Sequence, residues 1–149
     1  MWVSTRAQYG MRALVEIALG GDVPTSLKSV AERQNISQHY LEQLIALLRD
    51  AGIVESVRGA HGGYRVSRPL DHVTALEVVE LLEGTLAPVA CIEDAAQCEH
   101  VGKCSTEALW NRVDYAVRAV LGGTTLADLV AERELLTLSP LPEEFARAN

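Results

Sequence analysis

The sequence predicts a mainly α-helical fold carrying one small β-hairpin. Three observations predict it. Apolar residues recur at helical spacing in several separate segments. One short alternating run, between Ile53 and Val66, is broken by a glycine-rich turn. Capping residues and helix-stopping residues bracket the periodic segments along the chain. With 149 residues, 48% hydrophobic and 22% charged, the chain has the balance of a folded protein and the length of one domain of usual size or of a small domain plus an appendage.

The first helix runs from Thr5 to Leu19. Tyr9, Leu14, Ile17 and Ala18 fall near one face, and Gly20-Gly21 stops it. Pro24-Thr25-Ser26 supplies a turn and an N-cap for a short helix from Leu27 to Gln34, with Val30 and Ala31 inward. Asn35 suits a left-handed position after it, because its short polar side chain tolerates positive φ. Ser37 caps a third helix that runs to Asp50, and Gly52 ends it. This helix has two faces. Leu41, Leu44, Ile45 and Leu48 recur at i, i+3, i+4, i+7 and form a core stripe. His39, Glu42, Gln43 and Ala46 share that spacing on a polar face, an arrangement that in most helices is only solvated.

Ile53 to Val57 reads as a strand, Arg58 to Gly63 as a turn and Tyr64-Arg65-Val66 as the returning strand. A glycine-rich turn can bind phosphate, but this one leads into a strand and not a helix N-terminus. Three helices and then a hairpin within the first 66 residues is the order of a winged helix-turn-helix.

Beyond Pro69, Thr74-Ala75-Leu76-Glu77 is a capping box. It opens a helix to Glu83 with Leu76, Val79 and Leu82 on one side. Gly84 to Lys103 is a long connection, a length often tied to function. A long helix follows from Ser105 to Leu121, with a seam of Leu109, Val113, Ala116, Val117 and Val120, and Gly122-Gly123 breaks it. Thr125 to Asp128 caps a final helix to Arg133. A protruding helix with an apolar seam predicts a homodimer with the long helix as its main interface, the alternative being packing against its own winged domain. The expected organisation is residues 1–70 as a winged helix-turn-helix, 71–104 as a linker helix and cysteine-bearing loop, 105–135 as dimerisation and C-terminal helices, and 136–149 as a tail, loosely held after Ser139.

The formal net charge is −7, which at first sight opposes a nucleic-acid partner. The charge is uneven, however. Residues 1–70 carry a net +2 and residues 71–149 a net −9. A mildly basic front half suits a groove-binding module, and an acidic rear half suits a separate job. No signal peptide is evident, and no segment approaches the roughly 18 apolar residues of a membrane span. A cytoplasmic protein without a membrane partner is expected.

If the third helix enters the major groove, its polar face supplies the contacts. Gln43 has the geometry for adenine N6 and N7, and Glu42 can accept from cytosine N4. His39 reaches a base edge or a phosphate. Ser37 and the helix N-terminus can hold a phosphate, and Arg58 at the base of the turn suits a narrow minor groove. A dimer would read two half-sites of double-stranded DNA, in an inverted repeat.

All three cysteines lie between Cys91 and Cys104, spaced Cys91-x6-Cys98-x5-Cys104. An odd, clustered set is a poor disulfide framework, and it lacks the tight Cys-x2-Cys pair common in zinc sites. Three thiolates on a loop can hold an iron–sulfur cluster with one further ligand. Glu107, three residues past Cys104, shares a helix face with it if both lie in the first turn; His100 is the other nearby donor. Free thiols or a redox disulfide are the plainer alternatives.

Ser37 to Leu48 and Val57-Arg58-Gly59-Ala60-His61-Gly62-Gly63-Tyr64 resemble the winged-helix regulator family that includes IscR, NsrR and CymR. The resemblance spans roughly residues 3–135. The rear half, with its three cysteines, Ala108-Leu109-Trp110 and Thr125-Leu126-Ala127-Asp128-Leu129, looks most like IscR. The resemblance implies a homodimeric transcription factor with a 2Fe–2S cluster on Cys91, Cys98 and Cys104. It also implies base reading by His39, Glu42 and Gln43 and minor-groove contact by Arg58. The chain departs from IscR in three places. IscR has serine at His39, its fourth ligand is a histidine where the carboxylate Glu107 stands, and the first cysteine spacing here is one residue longer. NsrR resemblance implies a nitric-oxide-sensing 4Fe–4S repressor, in which a ligand can come from the first helix, where Gln8 stands here. CymR represses cysteine metabolism without a cluster and lacks the triad, which makes it the weaker match and a metal-free thiol switch the third alternative. No nucleophile–base pair, substrate pocket or phosphate loop speaks for an enzyme or an electron-transfer role.

Overall fold

The structure is a computed structural model that describes residues 3–138. Its helices are α1 (Thr5–Leu19), α2 (Leu27–Gln34), α3 (Gln38–Asp50), α4 (Ala75–Glu83), α5 (Ala90–Glu93), α6 (Glu107–Gly122) and α7 (Leu126–Leu138). Strands β1 (Val54–Val57) and β2 (Gly63–Val66) form one antiparallel hairpin, and 3-10 turns stand at Leu70–His72 and Ala95–Gln97. The chain is therefore mostly helical with a two-stranded wing after its third helix.

The capping chemistry read from the sequence forms. Ser26 Oγ accepts the Ser29 N–H, Ser37 Oγ accepts the Tyr40 N–H, and Asn35 sits in the left-handed region at φ 52, ψ 50. At Thr74 only half of the capping box closes. Thr74 Oγ1 accepts the Glu77 N–H, but Arg68 draws the Glu77 carboxylate away with a 2.6 Å contact. The box at Thr125 and Asp128 closes in both directions. Hydrogen bonds from the Thr125 backbone and hydroxyl hold the Asp128 carboxyl below its usual range.

One apolar cluster unites the elements. Leu14 and Ile17 of α1, Val30 of α2 and the α3 stripe of Leu41, Leu44, Ile45 and Leu48 meet Ile53 and Val54 at the wing base. Val78, Val79 and Leu82 of α4 and Leu126 of α7 close the same cluster. Gly10 lets α4 approach α1, since a Cβ there would lie 2.4 Å from Leu82 Cδ1. The wing is pinned from the side. Thr25 N–H donates to Tyr64 O at 2.8 Å and Tyr64 N–H returns a 2.9 Å bond to Thr25 O. A Cβ on Gly63 would fall 2.4 Å from that Thr25 oxygen, so the contact requires glycine.

Two lengths differ from expectation. The connection after Gly84 is not bare loop but holds α5 and a 3-10 turn. The last helix continues to Leu138 instead of stopping at Arg133, because no glycine or proline interrupts it before Pro140. The tail from Ser139 lies outside the described residues.

One backbone seam ties the start of α4 to the start of α7. Thr74 and Thr125 form a β-bridge, Ala75 N–H donates to Thr124 O, and Leu126 N–H donates to Val73 O, both at 2.8 Å. Between residues 84 and 124 only Leu86 is buried. α6 lies on α4, joined through Arg118, which contacts Glu80 and Asp114. Val113 and Val117 are half-covered there, but Leu109, Tyr115 and Val120 stay exposed, the last two at 76% and 68%. Among the described residues, no helix is long and apolar enough to cross a membrane.

Candidate functional site

Helix α3 presents its apolar stripe inward, and this fixes the opposite face outward. His39, Glu42 and Gln43 are all exposed, with the His39 side chain 82% accessible. They touch one another: Gln43 Nε2 lies 3.3 Å from His39 Nε2, and His39 Nδ1 lies 3.9 Å from Glu42. Gln38 Nε2 donates to Glu42 Oε1 at 3.2 Å. Ser37 is exposed at the head of the helix, its hydroxyl engaged as the cap. An edge-on contact between Tyr9 and Tyr40, with ring centroids 6.2 Å apart, ties the start of α3 to α1. Arg58 projects from the wing turn, exposed and, among the described residues, without an ion-pair partner. The next residue, Gly59, has φ +120 in open space, a backbone state that a side chain would strain. The structure thus brings His39, Glu42 and Gln43 together, with Ser37 at the head of their helix and Arg58 on the separate wing.

The second constellation lies at the head of α6. Cys91 comes from α5, Cys98 follows the 3-10 turn, and Cys104 precedes α6. All three thiols are half-buried and line one cavity of about 110 Å³ together with Glu107 and Asn111. His100 is exposed and is not among the residues lining it. The sequence reading placed Cys104 and Glu107 in one helical turn. The helix instead starts at Glu107, and the two meet through the turn that precedes it, where the Glu107 N–H donates to Cys104 O. Glu107 Oε2 accepts the Gly102 N–H at 2.7 Å, which aims the carboxylate at the loop.

The thiols differ electrostatically. Burial, and then the neighbouring Cys98, push the Cys91 thiol up. The Thr106 side chain, 3.2 Å from Cys104 Sγ, holds the Cys104 thiol down, helped by the Thr106 and Glu107 backbone N–H groups. A thiolate at that end of a helix is favoured. Among the described residues, no three His, Cys, Asp or Glu side chains are drawn close enough to clasp a single ion. Three soft thiols and one carboxylate around a shared cavity are, by donor chemistry, a set that suits an iron–sulfur cluster.

One residue escaped the sequence reading. Glu16 of α1 is only 3% exposed. It accepts a 2.7 Å bond from Gln34 Nε2, lies 3.2 Å from Arg33 and 3.8 Å from Arg133, and so joins α1, α2 and α7. The available signal was a carboxylate set between Leu14 and Ile17 on an otherwise apolar face.

Residues 3–132 match the Rrf2 family, described as "Iron-dependent Transcriptional regulator". The chain is 43% identical over 132 residues to the HTH-type transcriptional regulator CymR of Bacillus subtilis (strain 168), covering 88% of this chain and 91% of the relative. The solved structure of that global cysteine regulator superposes with a TM-score of 0.76 at 44% identity, covering 89% of this chain and 98% of that one. T. potens IscR follows with a TM-score of 0.73 at 39% identity, covering 89% and 88%. The oxidized form of Staphylococcus aureus CymR gives 0.70 at 40% identity, covering 87% and 96%. Whole-chain identity therefore does not rank CymR below IscR, and the preference for IscR rests on the cysteine triad. The relatives are named as transcriptional regulators, in line with a non-enzymatic role. The chain belongs to the Rrf2 family of winged-helix transcriptional regulators.

Proposed function

We propose that this regulator is a homodimer whose binding to inverted-repeat operator DNA is set by an iron–sulfur cluster, of 2Fe–2S type, held by Cys91, Cys98, Cys104 and Glu107. The observation that carries the reading is the shared cavity: residues from α5, the following turn and the head of α6 face one space. A bound cluster supplies a one-electron redox centre. The chain supplies the rest. Fixing the three cysteines fixes the loop against α6. Arg118 clamps α6 to α4, and α4 packs on both α1 and α3. Two helices, α6 and α4, therefore stand between the cysteine loop and the helix that reads DNA. The exposed Leu109, Tyr115 and Val120 of α6 form the face for a second copy. His39, Glu42 and Gln43 read base edges, Ser37 holds a phosphate, and Arg58 enters the minor groove. The protein acts in the cytoplasm.

Anaerobic purification with iron and acid-labile sulfide assays tests this. Equimolar iron and sulfide, two of each per chain, supports the 2Fe–2S reading, four of each would favour a nitric-oxide-sensing 4Fe–4S centre, and colourless iron-free protein removes the cluster altogether. Glu107→Ala is expected to labilise the cluster and His100→Ala to spare it; the reverse result reassigns the ligand.

A metal-free thiol switch is the second reading. It is favoured by the closeness of Cys98 to Cys91 and by the similarity to a CymR solved in an oxidized form. Loss of two electrons and two protons from a thiol pair to a peroxide oxidant would form the disulfide. A reversible disulfide in iron-free protein, seen by mass spectrometry, supports it.

A further inference from the structure

Eight Lys and Arg lie in residues 1–70, and the structure divides them into two groups. Arg33 pairs with Glu16, Arg49 with Asp50, Arg65 with Glu55 and Arg68 with Glu77. Arg12 is held by Gln34, donating to its side-chain oxygen at 2.8 Å and its backbone oxygen at 2.7 Å. Among the described residues, the side chains of Arg6, Lys28 and Arg58 have neither an ion pair nor a hydrogen bond, and all three are exposed. Arg58 is already placed in the wing. Arg6 and Lys28 are left unexplained.

Their positions point to one use. Arg6 shares a cleft of about 470 Å³ with Tyr40, Gln43, Leu44 and Leu47, so its guanidinium stands beside the base-reading face of α3. Lys28 is the second residue of α2, the helix that leads through Asn35 into α3. Each cation sits in the first turn of its helix, where the helix dipole disfavours positive charge and where the turn itself holds no acidic residue, although at α1 the Glu83 carboxylate accepts the Ser4 N–H at 2.7 Å. Ser4 Oγ accepts the Arg6 and Ala7 N–H groups and Ser26 Oγ accepts the Ser29 N–H, so the caps use backbone groups and leave both side-chain cations unengaged. A placement that local electrostatics opposes marks a group held for something outside the chain.

We propose that Arg6 and Lys28 bind backbone phosphates of the operator, on α1 and α2 respectively, and with Arg58 make up the electrostatic footprint of each protomer. This rests on the DNA-binding reading above. Phosphate contacts hold register and carry no sequence information. The two residues therefore set affinity and salt dependence, and Gln43 and Glu42 set sequence choice. The paired arginines contribute little, because their charge is already matched within the protein.

The test is the salt dependence of binding by the full-length dimer, read as fluorescence anisotropy of two labelled duplexes. One is a random-sequence duplex longer than two half-sites, and the other is an operator recovered by selection from random sequence. Arg6→Gln and Lys28→Gln are compared with wild type and with Arg65→Gln, which removes a paired charge. Each phosphate neutralised contributes about 0.9 to the slope of log affinity against log salt, so each variant is expected to lower the dimer's slope by about 1.8. Both variants should weaken the two duplexes by the same factor, and Arg65→Gln should leave the slope unchanged. A wild-type slope in either Arg6→Gln or Lys28→Gln, or a loss confined to the selected operator, overturns the proposal. Wild-type protein that binds neither duplex at low salt overturns the DNA-binding reading itself.

Discussion

Glu16 lends itself to a quantitative prediction, because its surroundings separate the terms. Replacing it with Ala removes the 2.7 Å bond from Gln34, a hydrogen bond to a charged acceptor worth about 1.5–3 kcal/mol. It also removes the pair with Arg33 at 3.2 Å; that guanidinium is 53% exposed, so solvent screening limits its share to less than about 1 kcal/mol. Arg133, at 3.8 Å and also partly exposed, adds little. The expected loss is about 2–4 kcal/mol, near the lower part of the range for breaking a buried pair, since the abandoned cation can hydrate. Glu16→Gln keeps an acceptor for Gln34 and loses only the charge, and should cost about 1–2 kcal/mol. Urea unfolding, repeated at several protein concentrations because a dimer's stability depends on them, gives both values. A Glu16→Ala loss below about 0.5 kcal/mol, the range of ordinary surface changes, would refute the reasoning. So would a Gln variant as damaging as the Ala variant.

Three further outcomes are expected. Gly63→Ala places a Cβ against Thr25 O, so it should cost about 1–3 kcal/mol in thermal unfolding and loosen the wing; an unchanged melting temperature would show that the wing is not pinned there. Tyr115→Glu with Val120→Asp should turn the dimer into a monomer by sedimentation, and a persistent dimer would place the interface elsewhere. The lowered Asp128 carboxyl stabilises the start of α7 at neutral pH, and that contribution disappears as the pH falls through its folded value, below the ordinary aspartate range. Asp128→Ala should therefore flatten the acid limb of the stability profile, and an acid limb as steep as wild type would remove Asp128 as its cause.

The front of the chain was legible because its signals are local. Ser26, Asn35 and Ser37 act within four residues of themselves, and the α3 stripe declares its own inner face. The glycines at 62 and 63 announced a turn, although only the structure shows that Gly63 is needed for the approach of Thr25. What was not legible is long-range. Arg133 and Glu16 lie at opposite ends of the chain, and no spacing rule joins them. The apolar residues of α7, Leu126, Leu129, Val130, Leu135, Leu136 and Leu138, are spread around the helix, so periodicity marked neither its length nor its docking on α1. At the cysteines, spacing could name candidate donors. It could not show that α5 turns Cys91 back to the cavity lined by Cys98, Cys104 and Glu107, nor that His100 stays outside it.

Residues 84–124 form an excursion that departs at the end of α4 and returns at the backbone seam between Thr74 and Thr125. Because only Leu86 of these residues is buried, the core places few demands on what the excursion contains. Loop-closure entropy charges only about 0.6 kcal/mol for each doubling of its length. A segment of other length can be spliced between Gly84 and Thr124 while α1 to α4 and the wing keep their packing. Diversity can in this way arise on a constant scaffold, by trading cassettes at a fixed socket.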